Sequence, residues 1–444
     1  MVKVITYGTY DMFHYGHRRL LERAKALGDY LIVGVTSDDY DKTRGKINNQ
    51  QSLAERIAAV KATGLADEII VEEYVGQKID DIRRYGVDIF TLGSDWEGKF
   101  DYLNEYCKVV YLPRTEGVSS TELRGNKRSL ALGLVGSSAF IGKVEAESRY
   151  VNGIAVKGIY TEHPGTLAGS LKELELVTGS YDELLDAVDA VYIRSQPRDH
   201  YEQIAEALRR GKHVLCEAPL TLRENEWEEL RALAEERGLI LMDALKTAYS
   251  TAYSRLLLQV KSGCIGEVVS VDATCTSLRP ESELAGGVEW DNIAAWGPTA
   301  LLPIFQLLGT EYTRKRTAAR FLDAEHEHDS FVKMDFVYPH AVASLKIGSG
   351  VKSEGELIIS GTKGYIYVPA PWWKTDYFEM RFENQTENKR YFYQLDGEGI
   401  RYELVVFSKA VEAGRSIPYI MPEVSRSICR VMEDFTQRKE FYLL

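Results

Sequence analysis

Between residues 2 and 112, short apolar runs alternate with stretches in which apolar side chains recur every three or four positions. VKVITYG, DYLIVGVTS, EIIVEEY, VDIFTLG and KVVYLPR are brief and partly β-branched, which predicts strands. HRRLLERAKAL places Leu20, Leu21, Ala24 and Leu27 at helical spacing. Alternating strand and helix predicts a parallel sheet covered on both faces, and the pattern is complete by about residue 124.

A short basic joint, LRGNKRSLALG, leads into a second round. LALGLVGSS, GIAVKGIYT, AVDAVYIRSQP, KHVLCEAP and LILMDAL read as strands, with HYEQIAEALRR and ENEWEELRALAEERG as helices between them. Beyond 246, after the helix YSRLLLQVKSG, strands dominate: EVVSVDATCTS, SFVKMDFVYPHAVASLKIG and GELIISGTKGYIYVP. The last two contain hairpin-like turns at Tyr338–Ala341 and Gly361–Gly364. They predict a large, mostly antiparallel sheet closed by the helix MPEVSRSICRVMEDFTQRK. The expected class is α/β: a Rossmann-like domain over 1–128, a dinucleotide-binding-type domain over 129–245, and an α+β sheet domain over 246–444.

A length of 444 residues agrees with two or three domains. A net charge of −12 argues against nucleic acid or anionic membrane as a general partner, so any anion site must be a local basic cluster. Cysteines 107, 216, 264, 275 and 429 are odd in number and widely spaced, which reads as reduced thiols in the cytoplasm. The chain enters a strand at Val2 without a leader pattern, and no apolar run of about 18 residues predicts a membrane span.

TYGTYDMFHYGHRRLLERAK, from Thr6 to Lys25, carries the sharpest chemical signal. A strand that turns into a helix presents free backbone N–H groups where an anion is stabilised. Gly8 lets the backbone come close, Thr9 offers a hydroxyl, and His14 and His17 flank the turn. Two imidazoles three residues apart can donate to charge that grows on a phosphate during phosphoryl or nucleotidyl transfer, a reaction that needs positioning rather than a protein nucleophile.

With HYGH, LLERAKALGDYLIV, GSDWEGKFDYL and VVYLPRTEGVSST, the first 124 residues resemble the cytidylyltransferase family of H-x-G-H nucleotidyltransferases, in particular its glycerol-3-phosphate branch. The resemblance implies attack of a phosphate oxygen of a glycerol phosphate on the α-phosphorus of CTP, with Mg2+ carried by the nucleotide and loss of pyrophosphate. It places Gly8, Thr9, His14 and His17 around the triphosphate, with Lys46 and Arg44 from a facing loop and Arg114, Thr115, Ser119 and Ser120 from RTEGVSST. His14, His17, Lys46 and Arg114 are the expected catalytic groups. Asp11 is expected to organise the metal or the second substrate, and Asp38, Asp95 and Trp96 to shape the acceptor or nucleotide pocket. Arg44 stands where close relatives have lysine, so a planar fork replaces a point charge. The loop DKTRGKINNQQS also differs, leaving room for another small polyol phosphate.

Residues 130–444 resemble the glucose–fructose oxidoreductase / inositol dehydrogenase / MocA family, most clearly through YDELLDAVDAVYIRSQPRDHYEQIAEALRRGKHVLCEAPLTL. That resemblance implies NAD(P) and a glycine-rich loop, here with Gly142 as its last glycine and Ser137 and Ala139 at the first two glycine positions, Gly136 offering a shifted turn. Glu217 and Pro219 would border the cofactor. The family's lysine between them is Ala218, its D-x-x-x-H falls on Ala295 and Thr299, and the carboxylate expected at the tip of the second strand is replaced by Tyr160 or Thr161, with Glu162 just beyond. Lys212, Lys246 and His200 are the alternative proton donors. The module is thus a diverged partner, an active reductase supplying the polyol phosphate, or an oligomerisation or ligand-binding platform, with a homodimer expected in each case.

Overall fold

The computed structural model describes residues 1–38, 49, 51–74, 76–113, 129–167, 169–278, 290–322, 328–416 and 418–444. It separates into two compact units, Met1–Arg128 and Ser129–Leu444.

The first unit is a parallel sheet of β1 (Lys3–Gly8), β2 (Tyr30–Thr36), β3 (Glu68–Glu72), β4 (Ile89–Gly93) and β5 (Lys108–Leu112), in the order β3-β2-β1-β4-β5. Successive residues of β1 serve opposite faces. Val4 packs with Leu21, Leu31, Val33 and Val60, whereas Ile5 and Tyr7 pack with Ile32, Ile82 and Phe90. Helices α1 (Tyr15–Lys25), α2 (Leu53–Ala62) and α3 (Gln77–Tyr85) supply those layers. Both faces are therefore dry, which is why the strands read as continuous apolar runs. Strand order reverses between β1 and β4, and a crevice at the carboxyl ends of strands beside such a reversal is the usual ligand position.

The second unit holds two sheets. A parallel sheet runs β11-β10-β9-β6-β7-β8, from β6 (Leu130–Val135), β7 (Ile154–Tyr160), β8 (Leu176–Thr178), β9 (Ala190–Ile193), β10 (His213–Glu217) and β11 (Leu241–Ala244). Helix α4 (Ala139–Ser148) follows β6. The other sheet contains β12 (Val268–Thr276), β13 (Arg314–Phe321), β14 (Asp329–Val337), β15 (Val342–Gly348), β16 (Leu357–Gly361), β17 (Tyr365–Val368), β18 (Tyr377–Arg381), β19 (Lys389–Phe392) and β20 (Phe441–Leu443). It is antiparallel except where β12 meets β15 and β13 meets β20. Both expected turns are closed, by Tyr338 N–H to Ala341 O at 2.8 Å and Gly361 N–H to Gly364 O at 2.9 Å.

Two helices lay outside the sequence reading. Asn292–Leu308 contains Pro298 and Pro303, which ordinarily argue for a break, yet it stays helical because Ala294, Gly297, Leu301 and Phe305 bury its face. Ile400–Ala413 carries a fully buried Glu403. The closing helix spans Pro422–Thr436, and β20 follows it as an added edge strand. Among the described residues no helix is long and apolar enough to cross a membrane.

Candidate active site

In the first unit the corner after β1 is built around the two histidines. His14 is the N-cap of α1: its backbone is extended and its Nδ1 accepts the Gly16 N–H at 3.0 Å. That bond fixes the proton of the neutral ring on Nε2. The His17 ring stacks on the His14 ring, centroids 3.8 Å apart and planes 22° from parallel. Tyr10 and Phe13 buttress His17 with centroids at 5.5 Å. The turn is strained, since Tyr10 and Met12 have φ of 54° and 48°, a region that favours glycine. Gly8 lets the Tyr10 ring pack closely, since a Cβ there would stand 3.0 Å from that ring.

What holds this strained loop is a residue that sequence reasoning missed. Arg56, on α2, is wholly buried. Its guanidinium donates to Thr9 O at 2.7 Å, to Thr36 O at 2.8 Å, to Gln51 O at 3.2 Å and to the Asp38 carboxylate. One planar fork thus ties the ends of β1 and β2 to the start of α2, a task five fixed donors suit well. The available signal was register: Arg56 precedes Val60 by four residues and shares its buried face.

Asp11 is buried and accepts the Gln51 N–H at 3.0 Å, so the turn is pinned to the same segment. Asp38 accepts from Arg56 and from Asn49 at 3.3 Å, which makes it part of the clasp. Trp96 ends a short turn after β4, on the other side of the crevice, and packs 5.8 Å from Phe100 with Lys99 over its ring. Asp95 lies in that turn. Arg44, Lys46, Arg114, Thr115, Ser119 and Ser120 lie outside the described residues. Among the described residues no group of three His, Cys, Asp or Glu is placed to hold a metal ion.

The second unit has its own strand-to-helix corner. Gly136 follows β6 with φ of 127°, and a Cβ there would stand 2.3 Å from Arg194 O. The position that only glycine can fill is therefore Gly136. Gly142 lies inside α4 with ordinary space around it, so the demand for glycine that the expected loop carries falls at Gly136 and not at Gly142. Ser138 is the N-cap of α4, but it makes no capping bond, and its hydroxyl is buried without a partner among the described residues.

Around this corner stand Glu217, at the end of β10, and Lys246, just after β11. The Tyr192 hydroxyl donates to Glu217 Oε1 at 2.5 Å and lies 3.3 Å from Glu403 Oε1. The hydroxyl thus donates chiefly to Glu217, with Glu403 Oε1 as the longer, second acceptor. Burial pushes that carboxyl well above its ordinary range, with the Glu217 charge adding to it and Lys246 opposing. Of the alternative donors, Lys212 is committed to Val188 O at 2.8 Å. His200 is fully buried between Pro219 O at 2.9 Å and Ser195 O at 3.3 Å, and burial lowers its pKa to about 4. Lys246 alone of the three sits at the crevice, its ammonium 5.0 Å from the Phe140 ring centre. Ala295 and Thr299 are one turn apart on the Asn292–Leu308 helix and bring no titratable group.

Residues 5–126 match the family described as Cytidylyltransferase-like, and residues 130–244 the Oxidoreductase family, NAD-binding Rossmann fold. Glycerol-3-phosphate cytidylyltransferase of Bacillus spizizenii is 50% identical over 130 residues, covering 29% of this chain and 100% of that one. Its Bacillus subtilis counterpart is 48% identical over 124 residues, 28% and 95% of the two chains. A dTDP-3,4-didehydro-2,6-dideoxy-alpha-D-glucose 3-reductase of Streptomyces violaceoruber is 38% identical over 120 residues, 25% of this chain and 35% of that one. Among solved structures, a 3-ketoreductase from Actinomadura kijaniata in complex with NADP and TDP-benzene aligns with a TM-score of 0.61 at 20% identity, over 71% of this chain and 100% of that chain, which establishes the shared fold. Residues 5–126 are thus a cytidylyltransferase-like domain, and the chain belongs to the glycerol-3-phosphate cytidylyltransferase family, with an oxidoreductase-family unit following in the same polypeptide.

Proposed function

We propose that this protein transfers CMP from CTP to glycerol 3-phosphate or a similar small polyol phosphate, releasing pyrophosphate and giving CDP-glycerol or a CDP-polyol. The observation that carries the reading is the stacked His14–His17 pair at the amino end of α1, beside Gly8 and Thr9. Helix N–H groups and imidazole donors together favour negative charge growing on the α-phosphate and on the departing pyrophosphate. Mg2+ would arrive with the triphosphate and offset its charge. Arg44, Lys46, Arg114, Thr115, Ser119 and Ser120 are the further phosphate contacts this reading calls for, and Asp38, Asp95 and Trp96 the acceptor-side residues. The product class suits assembly of a cell-surface polymer from the cytoplasm by a homodimer. Pyrophosphate release should be measured with CTP, Mg2+ and a panel of polyol phosphates. Release with glycerol 3-phosphate above the other acceptors is expected, and release without any acceptor dependence refutes the assignment.

A second reading concerns the other unit. The buried Ser138 hydroxyl at the start of α4, without a partner among the described residues, fits the pyrophosphate of NAD(P). Gly136, Ser137, Ser138 and the first N–H groups of α4 would hold that pyrophosphate, with Glu217 and Pro219 bordering the far end. Such a cofactor supplies hydride chemistry, and Lys246 is the side chain placed to hold a proton there. Fluorescence titration with NADH and NADPH tests this reading. Saturable binding weakened by Ser138→Trp is expected, and flat titrations leave the unit as a ligand-binding or oligomerisation platform.

A further inference from the structure

Three lysines from separate segments of the second unit close on one carboxylate. Lys143, on α4, reaches Glu398 Oε1 at 3.1 Å, and Lys374, in the turn Trp372–Lys374, reaches the same oxygen at 3.1 Å. Lys246 reaches Oε2 at 3.3 Å. Around Glu398 itself, three ammonium groups therefore face a single carboxylate, a local excess of positive charge. This excess occurs in a chain whose net charge is −12. A surface ion pair usually matches one cation to one anion. Here a planar carboxylate with two oxygens faces three ammonium groups, two of which share one oxygen. A tetrahedral phosphate has an oxygen for each.

The backbone that delivers Glu398 is unusual in its own right. Gly397, Glu398 and Gly399 have φ of 57°, 55° and 94°, so a glutamate is held in the left-handed region between two glycines. A Cβ at Gly397 would lie 2.0 Å from the Glu147 carboxylate, and one at Gly399 3.2 Å from Lys246 O. The segment is wedged against the cluster, and a non-glycine outlier held so firmly is a reason to look for a function. The lysine side chains grade from 21% exposed at Lys246 through 38% at Lys374 to 54% at Lys143, which leaves an approach from solvent. Trp373, next to Lys374, packs on Trp296 with ring centres 4.9 Å apart and gives the wall an apolar part.

We infer that Lys143, Lys246 and Lys374 form a binding site for the phosphate monoester of a small polyol, and that Glu398 occupies the site until the ester displaces it. The choice of ester rests on the acceptor class proposed for the first unit, since one polypeptide would then hold the same kind of compound at both units. Binding of glycerol 3-phosphate to the full chain, measured by equilibrium dialysis, tests it. Two sites per chain are expected in the parent and one in Lys143→Ala/Lys374→Ala, with CMP transfer unchanged in that variant. Glu398→Gln removes the resident competitor and should tighten the lysine-dependent site by roughly threefold or more, because the open fraction rises. Inorganic phosphate should compete and glycerol should not. Equal isotherms for parent and double variant, or a Glu398→Gln variant no tighter than the parent, overturn the proposal. So does lysine-dependent binding of NADP alone. If the double variant fails to fold, Lys374→Ala alone and Glu398→Gln carry the same decision. Loss of CMP transfer with this second site intact would strike the proposed activity and leave the site standing.

Discussion

The two strand-to-helix corners solve one problem with different materials. After β1 the turn is made by non-glycine residues forced to positive φ, Tyr10 and Met12, and its cap is a histidine stacked on another histidine. After β6 the turn rests on Gly136, and its cap is a serine whose hydroxyl has no partner among the described residues. Strain of that kind persists only where the surroundings over-determine it, and buried Arg56, bonded to Thr9, Thr36, Gln51 and Asp38, supplies the restraint. The first corner brings its own charge-handling side chains to the anion. The second offers backbone and a hydroxyl at the turn itself, with basic groups around it on Arg194, Lys143 and Lys246. A corner of the first kind suits bond-making at phosphorus, and one of the second kind suits holding.

The largest expected effect breaks the comparison at the first corner. His17→Ala should lower turnover of CTP by on the order of 100-fold or more, equivalent to about 2.7 kcal/mol of barrier. Steady-state pyrophosphate release measures it, and turnover within a few fold of the parent would reduce His17 to a packing residue. Thermal stability should hold nearly level, since the ring is only half-buried.

Next comes the second corner. Gly136→Ala puts a Cβ against Arg194 O at a backbone angle that alanine avoids. It should destabilise the second unit by about 2 kcal/mol. Chemical denaturation followed by tryptophan fluorescence reports it, while CMP transfer stays at parent levels. Gly142→Ala, inside α4 with open space, should be neutral or slightly stabilising. A reversal of the two variants would restore the glycine register that the sequence suggested.

Sequence pattern alone was enough for features that are local. His14 and His17 lie within one helical turn of each other and within nine residues of a strand end, so their spacing and the breaker before them define the corner. The alternation that placed β1 to β5 reflects burial on both faces, which leaves a direct trace in composition. Features assembled from distant segments left no such trace. Arg56 looks like any charge on an amphipathic helix until the ends of β1 and β2 are brought to it. The choice between Gly136 and Gly142 turns on φ and on an approach to Arg194 that no spacing rule records. Lys143 and Glu398 are 255 residues apart, and their meeting depends on the intervening fold. The Asn292–Leu308 helix was hidden for the opposite reason: its prolines gave a strong local signal, and burial overrode it.

The smallest effect sharpens the view of the lysine cluster. Burial of Glu398 pushes its pKa up, but hydrogen bonds to Lys143 and Lys374 and the charge of Lys246 prevail, holding it at about 2. A carboxyl whose folded pKa lies below its unfolded value stabilises the fold above the unfolded pKa, and that contribution fades as pH falls through the folded one. The window therefore runs from about pH 4.5 down to about pH 2. Because the side chain is one-third exposed, solvent screening cuts the contribution to about 1 kcal/mol. Glu398→Gln should melt below the parent at pH 7, and the gap should begin to close below about pH 4.5. A gap that persists unchanged to pH 3 would mean that Glu398 acts through shape rather than charge, and a glutamate acting through shape would not be displaced by a phosphate.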